Sequence, residues 1–302
     1  MSNIKKILMP TDFSKNANQA LRYAALLADR LRAELTLLHV VTLYQDDSND
    51  PDYHFPDLKE IYGKLEKSAA NNMDKFTHEF ERLQVNKVTV RGISPAEEIV
   101  NYEILNDVDL IVMGTHGRSA VGRFLVGSVT EKVVRHVSSP VLTVAHQEKE
   151  PYSLPEIKNI LVPLDFSDYS KNVFQTAIKF AEVFDASLKF LHVVDCRVHP
   201  VYYVTGEQPI LKTYPNLLEE SMKSLQEFVR AEIPWHVPGE FYVREGNPHV
   251  EIVKFSKKEP TDLILMATYG LSGLERMLIG STTEKVIRKA DHPIFIVKAN
   301  VD

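Results

Sequence analysis

The chain states one sequence twice, at a fixed offset of 153 residues. Pro10 and Asp12 in IKKILMPTDFS return as Pro163 and Asp165 in IKNILVPLDFS. His39 in LTLLHVV returns as His192 in LKFLHVV, and Asp109 in VDLIVMGTHG returns as Asp262 in TDLILMATYG. Ser128 and Glu131 return as Ser281 and Glu284, and Pro140 as Pro293. A repeat of this length is a whole domain, not a solenoid unit. The 302 residues then divide into two domains of about 150, each long enough to bury its own core. The boundaries fall at 1–147 and 156–302, joined by a charged linker around 147–155 with two prolines. Two copies of one fold control each other. Residues that agree point to what the fold demands, and residues that differ point to a change of task.

The first copy alternates strand and helix. Residues 4–9 are a short apolar run that stops at Pro10, which reads as a buried strand. Ser14 is placed to cap a helix whose Ala17, Ala20, Leu21, Ala24, Leu27, Ala28 and Leu31 fall at helical spacing. Strands follow at 35–41, 87–91, 108–113 and 141–145, with helices over 58–83, 95–105 and 128–137. The second copy repeats the order, with a longer loop at 195–216 and a shorter helix after it. This alternation predicts an α/β fold: two tandem, doubly wound parallel sheets of five strands, covered by helices on both faces. Such sheets bind ligands at the carboxyl ends of the strands, where the strand order reverses. If the first and fourth strands are neighbours there, the loops after Asp12 and Gly114 share one crevice.

The loop after the fourth strand carries the chemistry. It reads Gly114-Thr-His-Gly117, then nine residues, then Gly127-Ser128. Gly114 and Gly117 allow sharp turns and a close approach of backbone to ligand. Ser128 is expected to cap the next helix, with Glu131 completing a capping box. The amides and positive dipole end of that helix favour a phosphate, and Arg118 and Arg123 add positive charge. The second copy reads Ala267, Gly270, Gly280, Ser281, with Leu271 in place of Arg118, Arg276 matching Arg123 and Leu164 in place of Thr11. If position 267 needs positive φ or backbone contact with a ligand, its methyl group weakens that site by about 1 kcal/mol or more.

The pattern G-x2-G-x9-G-S, with PTDFS, LLHVV and LVGSVTEKVVRHVSSPVLTV around it, resembles the nucleotide-binding signature of the universal stress protein family. The resemblance spans both copies and implies a tandem member with a Rossmann-like fold in each half. In ATP-binding members the first-strand Asp contacts the nucleoside, and the glycine loop and Ser hold the phosphates. Carried over, Pro10, Thr11, Asp12 and Val40 surround adenine and ribose. Met113, Gly114, Gly117, Arg118, Gly127, Ser128, Val129 and Thr130 line the phosphate side. The weaker second set is Pro163, Leu164, Asp165, Val193, Ala267, Gly270, Gly280, Ser281 and Thr282. The implied ligand is ATP, with or without Mg. The resemblance also implies that the two final strands meet across a pseudo-two-fold axis, so that one chain mimics a dimer. A homodimer of whole chains is compatible with this reading.

Other readings stay open beside these. Asp12 and Asp165 could serve only to cap the helices after them. The second cleft is either an ATP site or a degenerate structural pocket. His116 is replaced by Tyr269, so a ring shielding the loop competes with an acid–base role. His39 and His192 lie in apolar strand text and read as packed, hydrogen-bonded core histidines. There is no HExxH and only one cysteine, Cys196, so no protein-built metal site is expected and no internal disulfide forms.

Charge narrows the partners. Residues 1–150 carry 18 Lys+Arg against 21 Asp+Glu, and the rest carry 17 against 20, so each half is near −3. With no clustered positive charge, nucleic acid is not the expected partner. Absence of a long apolar run argues against a membrane span and, with the single cysteine, favours a reducing cytoplasm. The expected function is ATP-dependent regulation of an unidentified protein partner in a stress response. The alternatives are a scaffold for a non-nucleotide ligand such as a lipid, or a slow ATP hydrolase. Nothing supplies the paired catalytic groups that a dedicated enzyme needs.

Overall fold

The computed structural model describes residues 4–42, 58–80, 83–115, 127–145, 154–195, 216–234, 236–268 and 279–298. The chain forms two compact units, Ser2–Pro155 and Glu156–Asp302.

Unit 1 runs β1 (Lys6–Pro10), α1 (Lys15–Leu31), β2 (Glu34–Thr42), α2 (Leu58–Thr77), a 3-10 turn (His78–Phe80), β3 (Val85–Gly92), α3 (Pro95–Asn106), β4 (Leu110–Gly114), α4 (Ser128–His136) and β5 (Val141–Val144). Its strands lie in the order β3-β2-β1-β4-β5, all parallel. Unit 2 repeats this with β6 (Asn159–Leu164), α5 (Asp168–Phe184), β7 (Ser187–Val194), α6 (Leu217–Arg230), β8 (Gly239–Glu245), α7 (Pro248–Lys258), β9 (Leu263–Ala267), α8 (Ser281–Lys289) and β10 (Ile294–Val297). Its order is β8-β7-β6-β9-β10, again parallel. Each unit is therefore a doubly wound five-stranded α/β domain, and its strand order reverses between the first and fourth strands.

The apolar text explains the layers. Ile7, Leu8 and Met9 are consecutive and all buried, as a central strand covered on both faces requires. Ser14 Oγ accepts the Ala17 amide at 3.2 Å and caps α1, whose buried stripe includes Ala17, Ala20, Leu21, Ala24, Leu27 and Ala28. The helix stops at Arg32, which takes a left-handed φ of 53°. Helix α2 ends at Thr77 rather than reaching residue 83. There the Thr77 hydroxyl donates to Met73 O at 2.9 Å, and the chain tightens into the 3-10 turn.

The repeated Asp109 and Asp262 fasten the switch point. Asp109 Oδ2 accepts the Lys5 and Lys6 amides at 2.8 and 2.9 Å, and Asp262 Oδ2 accepts those of Lys158 and Asn159 at 2.9 Å. Each carboxylate holds the start of the fourth strand against the start of the first. The β1–β4 ladder registers Ile7 with Leu110 and Leu8 with Ile111, at the end away from the crevice. The carboxyl ends of the two strands, past those pairs, carry the Asp12 turn and the loop after Gly114.

Candidate functional site: the switch-point cleft

In unit 1 the turn from β1 to α1 is hydrogen-bonded at almost every group. Thr11 N donates to Leu38 O at 2.8 Å, and its Oγ1 accepts the Phe13 amide at 3.0 Å. Thr11 O accepts His39 Nδ1–H at 2.8 Å, so the histidine is hydrogen-bonded as expected, but it is half-buried rather than a core residue. Phe13 sits at φ 61°, its ring 4.6 Å from that of His39 and edge-on to Phe76 at 5.9 Å. The tightness of this turn sets Asp12 half-buried at its mouth, with Oδ1 accepting the Ser14 amide at 3.0 Å.

The loop after β4 is clipped at its neck. Gly127 N donates to Thr115 O at 2.7 Å, and Thr130 Oγ1 donates to Gly114 O at 2.8 Å. Thr115 N in turn donates to Val144 O at 2.9 Å. These bonds bring the start of α4 to the end of β4, beside β1 and its Asp12 turn. Gly127 is the N-cap, with φ −59° and ψ 141°, and its carbonyl accepts the Glu131 amide at 3.0 Å.

The capping box expected from Ser128 and Glu131 is not formed. Gly127 already takes the cap position, so Ser128 becomes the first helical residue, and Glu131 pairs with Arg135 at 3.2 Å instead. Among the described residues no side chain caps α4. The first amides of a helix have no intrahelical acceptor, and the Ser128 hydroxyl is exposed at that end of α4.

The reason for Gly114 also differs from the expected one. Its φ is not left-handed. A Cβ there would lie 3.1 Å from the carbonyl carbon and Cβ of Asn16, so the glycine admits the start of α1 rather than relieving the backbone. Thr130 is 3% exposed with its hydroxyl spent on Gly114 O, so it builds the neck. Pro10 and Val40 are half-buried, Met113 and Thr11 are buried, and Val129 is half-buried on the first turn of α4. His116, Gly117, Arg118, Gly122 and Arg123 lie outside the described residues, as does the acidic segment 43–57.

Unit 2 repeats the frame with different chemistry. Gly280 N donates to Thr268 O at 2.8 Å, and Thr283 Oγ1 donates to Ala267 O at 2.9 Å. Gly280 is again the N-cap, and Ser281 is exposed at the first helical position, so its capping box is likewise absent. Phe166 repeats the strained turn at φ 62°, with its ring 4.2 Å from His192. His192 Nδ1–H donates to Leu164 O at 2.9 Å, and burial holds the imidazole below its usual pKa. Leu164 offers no oxygen where Thr11 serves the Phe13 amide. Asp165 Oδ1 accepts the Ser167 amide at 3.1 Å, Ser167 Oγ–H at 2.6 Å and Ser170 Oγ–H at 2.8 Å. Pro163 and Thr282 are half-buried, and Leu164 and Val193 are buried. Tyr269, Gly270, Leu271 and Arg276 lie outside the described residues, as do Cys196 and the segment 198–214.

Among the described residues there is no group of three or more His, Cys, Asp or Glu placed to hold a metal ion. Among the same residues no helix is long and apolar enough to cross a membrane.

Fold and local geometry together define a duplicated α/β protein whose strand order reverses between the first and fourth strands of each half. The sequence profile of the universal stress protein family matches residues 3–145 and again 156–298, so the chain belongs to that family. It is 38% identical over 141 residues to a universal stress protein of Methanocaldococcus jannaschii, covering 47% of this chain and 82% of that protein. It is 25% identical over 302 residues to a universal stress protein of Mycobacterium tuberculosis, covering 97% of this chain and 96% of that one. The crystal structure of a universal stress protein from Archaeoglobus fulgidus superposes with a TM-score of 0.65 at 21% identity, covering 98% of this chain and 97% of that chain.

Proposed function

We propose that unit 1 binds an adenine nucleotide, ATP in the first instance, and that occupancy regulates an unidentified protein partner. The observation that carries this reading is the clipped neck, which sets the start of α4 and the exposed Ser128 beside the Asp12 turn. An uncapped helix start suits phosphate, and a half-buried carboxylate suits a ribose diol. Asp12 receives the ribose, with Pro10, Thr11 and Val40 on the nucleoside side. Gly127, Ser128 and Val129 receive phosphate, held in place by Met113, Gly114 and Thr130. Gly117 and Arg118 join this set by resemblance alone.

The described residues fit a bound nucleotide without a protein-built metal centre. A magnesium ion would travel on the phosphates, which take such ions through few protein ligands. Unit 2 keeps the frame but is the weaker site, because Ala267 and Leu164 stand where unit 1 has Gly114 and Thr11. Among the described residues of the two proposed sets no base sits beside a nucleophile, and any hydrolysis is expected to be slow and incidental to binding.

Mass spectrometry of whatever leaves the purified protein on denaturation tests the ligand, and an adenine nucleotide is the expected result. Calorimetry then tests the site. Asp12→Ala should remove most tight binding and Asp165→Ala much less. Gly127→Leu should obstruct the phosphate side. Unchanged ATP affinity in Asp12→Ala and Gly127→Leu, with folding intact, would refute the assignment.

A further inference from the structure

The first turns of α1 and α4 meet on one residue. A Cβ on Gly114 would lie 3.1 Å from the Asn16 carbonyl carbon and Cβ, and Gly114 O accepts Thr130 Oγ1–H at 2.8 Å. The charge at the start of α1 is therefore felt by an anion at the start of α4. We propose that Lys15 makes unit 1 selective for polyphosphate-bearing ligands, and that Asp168, its counterpart 153 positions on, removes that bias from unit 2. This inference rests on the proposed phosphate side at α4.

Lys15 is the first residue of α1, is exposed, and makes no ion pair among the described residues. A helix start favours acids, because its dipole end is positive. Yet α1 has no acid in its first turn and carries a cation in first place. Helix α5 follows the rule, with Asp168 in first place and Lys171 paired to it at 3.1 Å. The caps are alike: Ser14 Oγ accepts the Ala17 amide and Ser167 Oγ accepts the Ser170 amide, both at 3.2 Å. The turn is the same and the sign of the charge differs. Unit 1 keeps a cation where helix stability favours an acid, as expected of a residue that serves a ligand.

The described charges on the other side match between the units. Over the first two turns of α4 and α8, Glu131 pairs with Arg135 at 3.2 Å and Glu284 with Arg288 at 2.8 Å, and Lys132 has its counterpart in Lys285. On the first turns of α1 and α5, Lys15 stands with the neutral Asn18, while Asp168 and Lys171 cancel. Chain geometry puts Lys15 about 10 Å from a phosphate at the start of α4. Magnesium-free ATP carries about four negative charges, so reversing one charge at that distance changes affinity by about tenfold at ~50 mM salt and by less than about twofold at ~0.5 M. Adenosine carries no charge and feels neither change.

The test uses the full chain as wild type, Lys15→Asp and Asp168→Lys. ATP and adenosine are titrated without magnesium at both salt levels, and each variant is melted. Hydrogen exchange of peptides from β4 and from β9 reads the two units separately. Lys15→Asp should weaken ATP in unit 1 by about tenfold at low salt and leave adenosine unchanged, without lowering the melting temperature, because an acid suits the helix start. Asp168→Lys should strengthen ATP in unit 2 by a similar factor. ATP affinity unchanged within about twofold in either variant, or an equal change in ATP and adenosine, would overturn the proposal. If wild-type unit 1 takes up no adenine nucleotide, the ATP reading of that unit fails. Inorganic triphosphate then decides the role of Lys15: binding in unit 1 that Lys15→Asp weakens about tenfold supports it, and no binding or no loss overturns it.

Discussion

Phe13 and Phe166 hold a left-handed backbone that a bulky side chain adopts only at a cost of about 1–3 kcal/mol. Both copies keep it, and both offset it by laying the ring against a histidine whose Nδ1 is tied to the same turn. The strained turn presents the carboxylate, so single atoms near it should be felt. Gly114→Ala would push a methyl to 3.1 Å from the Asn16 backbone at the start of α1, which shares that turn. We expect a shift of a few tenths of an ångström, about 1 kcal/mol of misfit and roughly fivefold weaker nucleotide binding, with the fold retained. Calorimetry and a melt on one preparation would show it, and an unchanged affinity would count against the geometry. His192 gives a pH signature. Its folded pKa lies below the ordinary 6.5 because burial penalises the cation, so the unfolded chain takes up the proton first as pH falls. The contribution is therefore fully present above 6.5 and is lost as pH drops from there towards the folded value. His192→Asn should flatten that part of the stability–pH curve of unit 2, as read by denaturant midpoints at stepped pH.

At the scale of elements, the closure of unit 1 depends on a buried carboxylate that the sequence did not advertise. Glu103 on α3 is 3% exposed, and its Oε1 accepts the Ser138 hydroxyl and both amides of Ser138 and Ser139 in the α4–β5 connection at 2.7–3.2 Å, while the Ser139 hydroxyl lies 2.6 Å from both Oε1 and Val108 O. Its Oε2 is buried without a hydrogen bond. Unit 2 solves the same join differently: Ser256 replaces the glutamate, and Asp291 in the connection pairs with Lys257 at 2.9 Å. Glu103→Ala should cost about 2 kcal/mol, since the Ser139 amide stays buried while the exposed Ser138 can turn to water. Urea unfolding followed by a probe in unit 1 would measure this, and a loss under about 0.5 kcal/mol would show that the clamp is idle. Local text predicted the strands and the Ser14 cap, because each follows from period or capping chemistry, while the adjacency of β1 and β4 entered only as a condition that the sheet order meets. It missed contacts between residues a hundred positions apart, such as Asp109 with Lys5 and Lys6. The signal there was repetition: Asp109 and Asp262 match, and both do the same fastening. The Ser128 cap was misplaced by one residue because glycine can itself take the cap position, and the text Gly-Ser allows either.

At the scale of the whole molecule, duplication turns one binding question into a comparison inside a single chain. Both units have the same topology, the same clipped neck and similar net charge, so differences in ligand response trace to positions that differ between the copies: Thr11 against Leu164, Gly114 against Ala267 and Arg118 against Leu271 among them. On the proposed reading, Leu164 removes an oxygen and Ala267 adds a methyl, and both are expected to disfavour a polar ligand in unit 2. The expected separation is at least about tenfold in affinity. Mass action then fixes what a saturating experiment should read. At a free ATP concentration 100 times the dissociation constant of unit 1, that unit gains about 2.7 kcal/mol of stability. A site tenfold weaker gains only about 1.4 kcal/mol at the same concentration. Hydrogen exchange resolves the two, because protection is read peptide by peptide. Peptides from β1 and β4 should slow by about a hundredfold and those from β6 and β9 by about tenfold, wherever exchange requires opening of the whole unit. Equal protection in the two units, or greater protection in unit 2, would mean that the altered positions do not govern affinity and that the site has been placed on the wrong residues.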